Sequence, residues 1–146
     1  MSIPMREKVI AKLQEHIGVN LHQFQKKHIF YNGKLADGRG ILVCTPQSML
    51  YPSGHGWVNL TIKQVSMLDE ADVSILAFRL QGNKVYYLNF CDLKSYLTAE
   101  AMYSRDRKGG YWILHIWPKY IQILRNIKRL EVKPNNLKKL GVHCLL

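Results

Sequence analysis

Residues 71–94 read ADVSILAFRLQGNKVYYLNFCDLK. Two runs rich in β-branched and aromatic residues, DVSILAFRL and KVYYLNFC, flank Gly82-Asn83. Such runs joined by a Gly-Asn pair predict a β-hairpin, because the turn needs residues that accept a positive φ. Asp72 opens the hairpin, and Asp92 and Lys94 close it. If the second strand stays extended, Asp92 and Lys94 share a face, since side chains on a strand repeat every two residues. If the strand ends at Cys91, Asp92 instead caps a helix through LKSYLTAEAM by accepting a bond from a first-turn N–H, and Lys94 turns away. Both readings stand at this level.

Working outward, residues 4–17 predict a helix. Pro4 suits its first turn; Met5, Val9, Leu13 and Ile17 recur on one face; Gly18 is a natural stop. LHQFQKKHIFY (21–31) reads as a short helix or as a helix running into a strand, and NGKLADGRG (32–40) is rich in turn residues. ILVC (41–44) predicts a short buried strand, followed by a loop, TPQSMLYPSGHG (45–56). WVNLTIKQV (57–65) alternates: Val58, Leu60 and Ile62 take one face, Asn59, Thr61 and Lys63 the other, which predicts a half-buried strand. DLKSYLTAEAMYS (92–104) predicts a helix, and GGYWILHIW (109–117) a buried strand stopped by Pro118. Ile121, Leu124, Ile127 and Leu130 have helical spacing, with a strand at 120–124 as the alternative. Helix, strand, hairpin, helix, strand and basic tail make an α/β sandwich around a mixed sheet. A chain of 146 residues is one domain, with a core at about 4–124 and a basic C-terminal segment at about 125–146.

The formal net charge is +11. Between Arg105 and Lys139 ten basic residues (Arg105, Arg107, Lys108, Lys119, Arg125, Lys128, Arg129, Lys133, Lys138 and Lys139) meet two acids, Asp106 and Glu131. Such a surplus repels itself unless an anionic partner offsets it. Nucleic acid is the first candidate, an anionic membrane surface the second, an acidic protein the third. Tyr111, Trp112, Trp117 and Tyr120 lie in the same segment, and rings beside cations suit stacking with phosphate contact. Trp112 and Trp117 are an odd number of residues apart, so on a strand they face opposite ways and at least one is core.

Several classes are excluded. The six histidines show no metal-ligand spacing; His115 reads as a satisfied, partly buried histidine and His55 as part of a flexible SGHGW loop. There is no phosphate-binding glycine loop and no nucleophile-elbow motif. Cys44, Cys91 and Cys144 are odd in number and far apart, which suggests neither a disulfide framework nor a zinc ribbon; Cys44 and Cys91 read as buried thiols. The charged N-terminal helix is not a signal peptide, and no run approaches the roughly 20 apolar residues that span a bilayer. These features predict a cytoplasmic protein in a reducing compartment, with no membrane partner.

The spacing D-x19-D-x-K of Asp72, Asp92 and Lys94, with the element order above, resembles the PD-(D/E)xK nuclease superfamily of restriction endonucleases and Holliday-junction resolvases. The resemblance covers roughly residues 5–117. It departs from the family's habit at Ala71, where proline is frequent, and at Asp92, where glutamate is commoner. It implies a restriction-endonuclease-like α-β-β-β-α-β core, a mixed sheet flanked by helices, with a basic C-terminal extension. It also implies a metal-dependent DNA endonuclease. Asp72 and Asp92 would hold Mg²⁺ or Mn²⁺, Lys94 would orient the attacking water or offset charge, and Glu15, or Glu7, would contribute from the first helix. Arg105, Arg107, Lys108, Lys119, Arg125, Lys128 and Arg129 would track phosphates. The partner would be DNA rather than RNA, bound by a homodimer because two strands need two sites. A second threading sets Thr61-Ile62-Lys63 at the acid-x-Lys position with the acid lost, leaving Asn59 and Gln64 as relics. Two alternatives accompany the nuclease: a non-catalytic DNA- or RNA-binding accessory protein on the same fold, and a protein-interaction module for an acidic partner.

Overall fold

A computed structural model describes residues 2–25, 27–105 and 109–141. In chain order its elements are α1 (Arg6–Ile17), β1 (His22–Gln23), β2 (Phe30–Lys34), β3 (Gly40–Cys44), β4 (Gln47–Ser48), β5 (Gly56–Thr61), α2 (Ile62–Glu70), β6 (Val73–Leu80), β7 (Lys84–Asn89), α3 (Phe90–Lys94), β8 (Tyr103–Arg105), β9 (Gly109–Ile116), β10 (Tyr120–Ile123) and β11 (Arg129–Glu131). The strands form two sheets. Sheet A is mixed and runs β1-β2-β3-β6, with β7 on the far side of β6. Sheet B is antiparallel and runs β11-β10-β9-β5, with β8 also on β9.

The hairpin stands as predicted. β6 and β7 pair antiparallel from Ile75↔Asn89 to Leu80↔Lys84, and Gly82 (φ 89°) and Asn83 (φ 60°) supply the positive φ of the turn. Sheet A is covered on both faces. Val9, Ile10 and Leu13 of α1 pack with Ile41, Val43, Ile75 and Ala77 on one side. On the other, Leu42, Leu76, Phe78 and Leu88 meet Val58, Leu60, Leu114 and Ile116 of sheet B. A strand buried on both faces reads as an unbroken apolar run, and all eight positions of β6 are buried. The three layers are thus α1, sheet A and sheet B. The α/β class with a mixed sheet holds, but a second sheet occupies one flank where helices were expected.

Two details fix the central layer. β4 continues the line of β3 along β6 in the same register, Cys44↔Leu76 and then Gln47↔Arg79, interrupted at Thr45-Pro46. The Arg79 side chain fills this break. The residue is 4% exposed, and it donates to Thr45 Oγ1 (2.9 Å), to the Thr45 carbonyl (2.8 Å) and to the Pro4 carbonyl (3.1 Å), which ties α1 to the sheet. Burial, followed by repulsion from Arg6, holds its pKa below the ordinary guanidinium value.

The free edge of β7 is closed by the C-terminal segment. The Asn135 N–H donates to the Val85 carbonyl (2.7 Å), and the Val85 N–H donates back to Asn135 Oδ1 (3.0 Å). Asn89 Nδ2 donates to the Gly141 carbonyl (2.7 Å), and the Gly141 N–H returns a bond to Asn89 Oδ1 (3.1 Å). The described residues from 126 to 141 therefore belong to the packed unit: β11 completes sheet B and Leu140 joins the core beside α1.

Other expectations are corrected. The strand expected over 57–65 ends at Thr61, and α2 starts there with a capping box: the Gln64 N–H donates to Thr61 Oγ1 and the Thr61 N–H to Gln64 Oε1. The helix expected over 92–104 is five residues long and starts earlier, at Phe90. The helical spacing at 121–130 is overridden by β10 and β11, and Ile127 is 98% exposed between them. The reading of Cys44 as a buried thiol holds: it is free, and burial pushes its thiol up to about 12. Cys91 is exposed and disulfide-bonded, not a buried thiol. Among the described residues no helix is long and apolar enough to cross a membrane.

Candidate nucleic-acid interface

The residues singled out by the nuclease resemblance lie mostly at one end of the hairpin. Extended by three residues, the β6–β7 register would set Asp92 opposite Asp72, but the ladder stops at Ile75↔Asn89. The chain turns helical at Phe90, so Asp92 sits in the first turn of α3 and is exposed. It is not the cap either: Asn89 holds that position, and its amide is committed to Gly141 rather than to α3. Asp72 is exposed, and its Oδ2 accepts the Gly40 N–H at 2.7 Å, joining the starts of β6 and β3. Lys94 pairs with Asp69 of α2 at 2.5 Å. Glu15 is exposed on α1. Among the described residues no three His, Cys, Asp or Glu side chains converge to hold a metal ion. As placed, Asp72 is engaged with the Gly40 N–H and Lys94 with Asp69, and Asp92 lies on a helical turn rather than on a strand facing Asp72. On the second threading, Thr61 and Gln64 are occupied by capping α2.

A cleft of about 830 Å³ opens between the end of α1, β2, β3 and the end of α2. Apolar Val19, Phe24, Ile41 and Leu42 line it together with polar Asn20, His22, Lys34 and Glu70. Charges of both signs in that lining give it no anion-selective character.

The other concentration of chemistry is the outer face of sheet B. β5 alternates buried Gly56, Val58 and Leu60 with exposed Trp57 and Asn59. On β9, Trp112, Leu114 and Ile116 point inward, leaving Tyr111, Ile113 and His115 for the outer face. The register aligns one row across four strands: Trp57↔His115↔Gln122↔Arg129. Around that row lies an aromatic cluster. The His115 ring is 4.7 Å from Trp57 and 4.2 Å from His55, and His55 is 4.6 Å from Trp117. Trp117 stacks on Tyr120 at 6.1 Å, and the Arg129 guanidinium lies over Tyr120 at 4.4 Å. The two indole N–H groups at the surface are held by neighbours: Trp57 Nε1 donates to Asn59 Oδ1 (2.9 Å) and Trp117 Nε1 to Gln122 Oε1 (3.3 Å). Toward β8, Tyr103 stacks on Tyr111 at 5.6 Å, with the Arg125 guanidinium 3.6 Å above Tyr103. Guanidinium over ring is a cation–π contact that also pre-orients the charge.

The cations expected to track phosphates divide accordingly. Arg125 and Arg129 are exposed and seated on aromatic rings of this face. Lys119 is exposed in the turn between β9 and β10, and Lys128 just before β11. Arg105 ends β8 and pairs with Gly109, while Arg107 and Lys108 lie outside the described residues. Glu131, paired in register with Tyr120, is the acid on β11.

His115 departs from expectation. Its Nε2 is buried with no hydrogen-bond partner. Burial, then the neighbouring His55, holds its pKa below the ordinary imidazole value. Trp112 is the core tryptophan, 7% exposed with Nε1 donating to the Thr98 carbonyl (2.8 Å), whereas Trp117 belongs to the outer face. Sequence reasoning missed Tyr51, His55 and Trp57 as members of this surface. The signal was present in WVNLT, whose alternation puts Trp57 on the same side as Asn59.

No protein-family model, no curated protein and no solved structure matches this chain.

Proposed function

We propose that this protein binds nucleic acid through the outer face of sheet B, as a non-catalytic DNA- or RNA-binding protein that takes single-stranded or unpaired segments. The observation that carries the reading is the row Trp57–His115–Gln122–Arg129 with its flanking rings and guanidinium groups. A flat sheet holds ring faces at spacings that bases can stack on, and cations beside them meet the phosphates. Unpaired bases are favoured over a duplex because only they offer both π-faces. The net charge of +11 supports an anionic partner.

The test uses labelled single-stranded DNA, single-stranded RNA, duplex and four-way DNA at several salt concentrations, with Mg²⁺, Mn²⁺ and EDTA arms, scoring bound and cut strands. Single strands should bind more tightly than duplex, with a slope of log K on log salt of about −0.7 per phosphate contacted. Trp57→Ala should weaken binding roughly five- to 100-fold, the loss of one stacked base. A shallow slope with no effect at Trp57 would favour an acidic protein partner. Metal-dependent cutting lost in both Asp72→Ala and Asp92→Asn would restore the endonuclease.

A further inference from the structure

The aromatic cluster is not built by the sheet alone. The loop between β4 and β5 lays Tyr51 and His55 onto it, with Tyr51 stacked on His55 at 5.5 Å and 20°. The His55 imidazole lies against both His115 and Trp117. It is a flat, nitrogen-bearing ring set among three other rings, which is the environment an unpaired base takes on a stacking platform. Beneath it, His115 Nε2 is buried and unpartnered. A buried polar atom of this kind costs stability unless something satisfies it. In the present arrangement nothing among the described residues does.

The loop that carries His55 is anchored mainly to itself. The Tyr51 N–H donates to the His55 carbonyl (2.9 Å), the Gly54 N–H donates to the Tyr51 carbonyl (2.8 Å), and Ser53 Oγ lies 2.5 Å from His55 Nδ1. Its ends are fixed outside the tip: the Leu50 N–H donates to Gln81 Oε1 and the Trp57 N–H to Ser48 Oγ. Residues 51–54 are exposed, and Gly54 holds a φ of 93°, open to side chains only with strain. The tip is therefore a unit fixed at two points, with one imidazole turned inward.

We propose that this cluster is a base-binding subsite filled in the free protein by the chain's own His55, and that residues 51–55 are a lid. Single-stranded nucleic acid displaces the imidazole and sets a base against Trp57, His115 and Trp117. The base takes the ring faces that His55 now covers, and opening of the lid lets a group in the plane of His115 reach the Nε2 that now lacks a partner. Arg129 and Lys119 stand at the side of the cluster to take the adjoining phosphates. This inference rests on the nucleic-acid reading above and adds a prediction of opposite sign from ordinary contact residues. A site occupied by its own lid binds in proportion to the open fraction, so removing the occupant raises apparent affinity.

The experiment measures binding of labelled oligodeoxythymidine and oligouridine to the native protein, His55→Ala and Trp57→Ala, with hydrogen exchange of residues 51–55 followed in the same samples. His55→Ala should bind roughly tenfold more tightly than the native protein, and Trp57→Ala more weakly. Exchange at Gly54 and Tyr51 in the native protein should speed up on adding the oligonucleotide, as the lid leaves. If the native protein binds but His55→Ala binds equally or more weakly, His55 is a contact or a bystander and the lid is overturned, with nucleic-acid binding intact. Slower exchange in the loop on binding would overturn it in the same way, as a clamp rather than a lid. If no protein binds either strand, the nucleic-acid reading falls and the subsite falls with it.

Discussion

Sheet A buries every side chain of β6, whereas sheet B buries Val58 and Leu60 of β5 and leaves Trp57, just before them, 37% exposed. Both sheets are rich in aromatic and β-branched residues. What separates them is cover: sheet A lies between α1 and sheet B, while sheet B has one inner face and one outer face. An inward ring is held by packing and is explained by stability. An outward ring on a half-covered sheet adds little to folding, so a row of them, pinned by amides and overlaid by guanidinium groups, is free to meet a ligand.

That contrast can be broken by substitution. Phe78→Ala, in the doubly covered sheet, should cost about 3–5 kcal/mol, read as a lower urea midpoint with an unchanged slope. Asn89→Ala should cost about 1–3 kcal/mol, because it leaves the Gly141 N–H and carbonyl without their partner and frees the edge of β7; concentration-dependent light scattering would detect the exposed edge. Trp57→Ala should leave stability within about 0.5 kcal/mol, since the residue lies outside the core. A loss of several kcal/mol there would make the outer face structural and remove the ground for calling it an interface.

The smallest effect is one of pH. His115 has a folded pKa below the usual imidazole value because burial and His55 disfavour its charged form. The unfolded chain therefore takes up the proton first as pH falls. Stability from this group is complete above about pH 6.5 and declines below it, levelling off once pH is under the lowered folded value. Thermal unfolding of the native protein and His115→Gln across this range should diverge at the acid end, with the native protein losing more. Parallel curves would mean that His115 is more open to solvent than the cluster implies.

How far the sequence reads depends on how local the cause is. α1 and the β6–β7 hairpin were legible because their periodicity and turn residues are contiguous. α2 was not, because the alternation of Val58 and Leu60 runs on through Ile62 in the sequence, although Thr61 and Gln64 carried a capping signal. Ile127 completed a false helical period and is in fact almost fully exposed. The extended strand through Lys94 was not met for a nonlocal reason. The strand stops at Asn89, whose side chain is taken by Gly141 from the far end of the molecule. The basic segment was legible as charge, but its seating on Tyr103 and Tyr120 needs the sheet.

The opposed facing of Trp112 and Trp117 also makes the protein its own spectrometer. Trp112 is sealed in the core, while Trp57 and Trp117 stand on the outer face. Indole emission shifts with the polarity around the ring and is quenched by stacking. Denaturant should therefore red-shift the buried component, and a bound base should dim the exposed one without moving it. With Trp57→Phe and Trp117→Phe the remaining signal would follow the core; with Trp112→Phe it would follow the outer face, where under folding conditions the ligand is the change it reads. One chain of three tryptophans thereby separates unfolding from occupancy in a single cuvette.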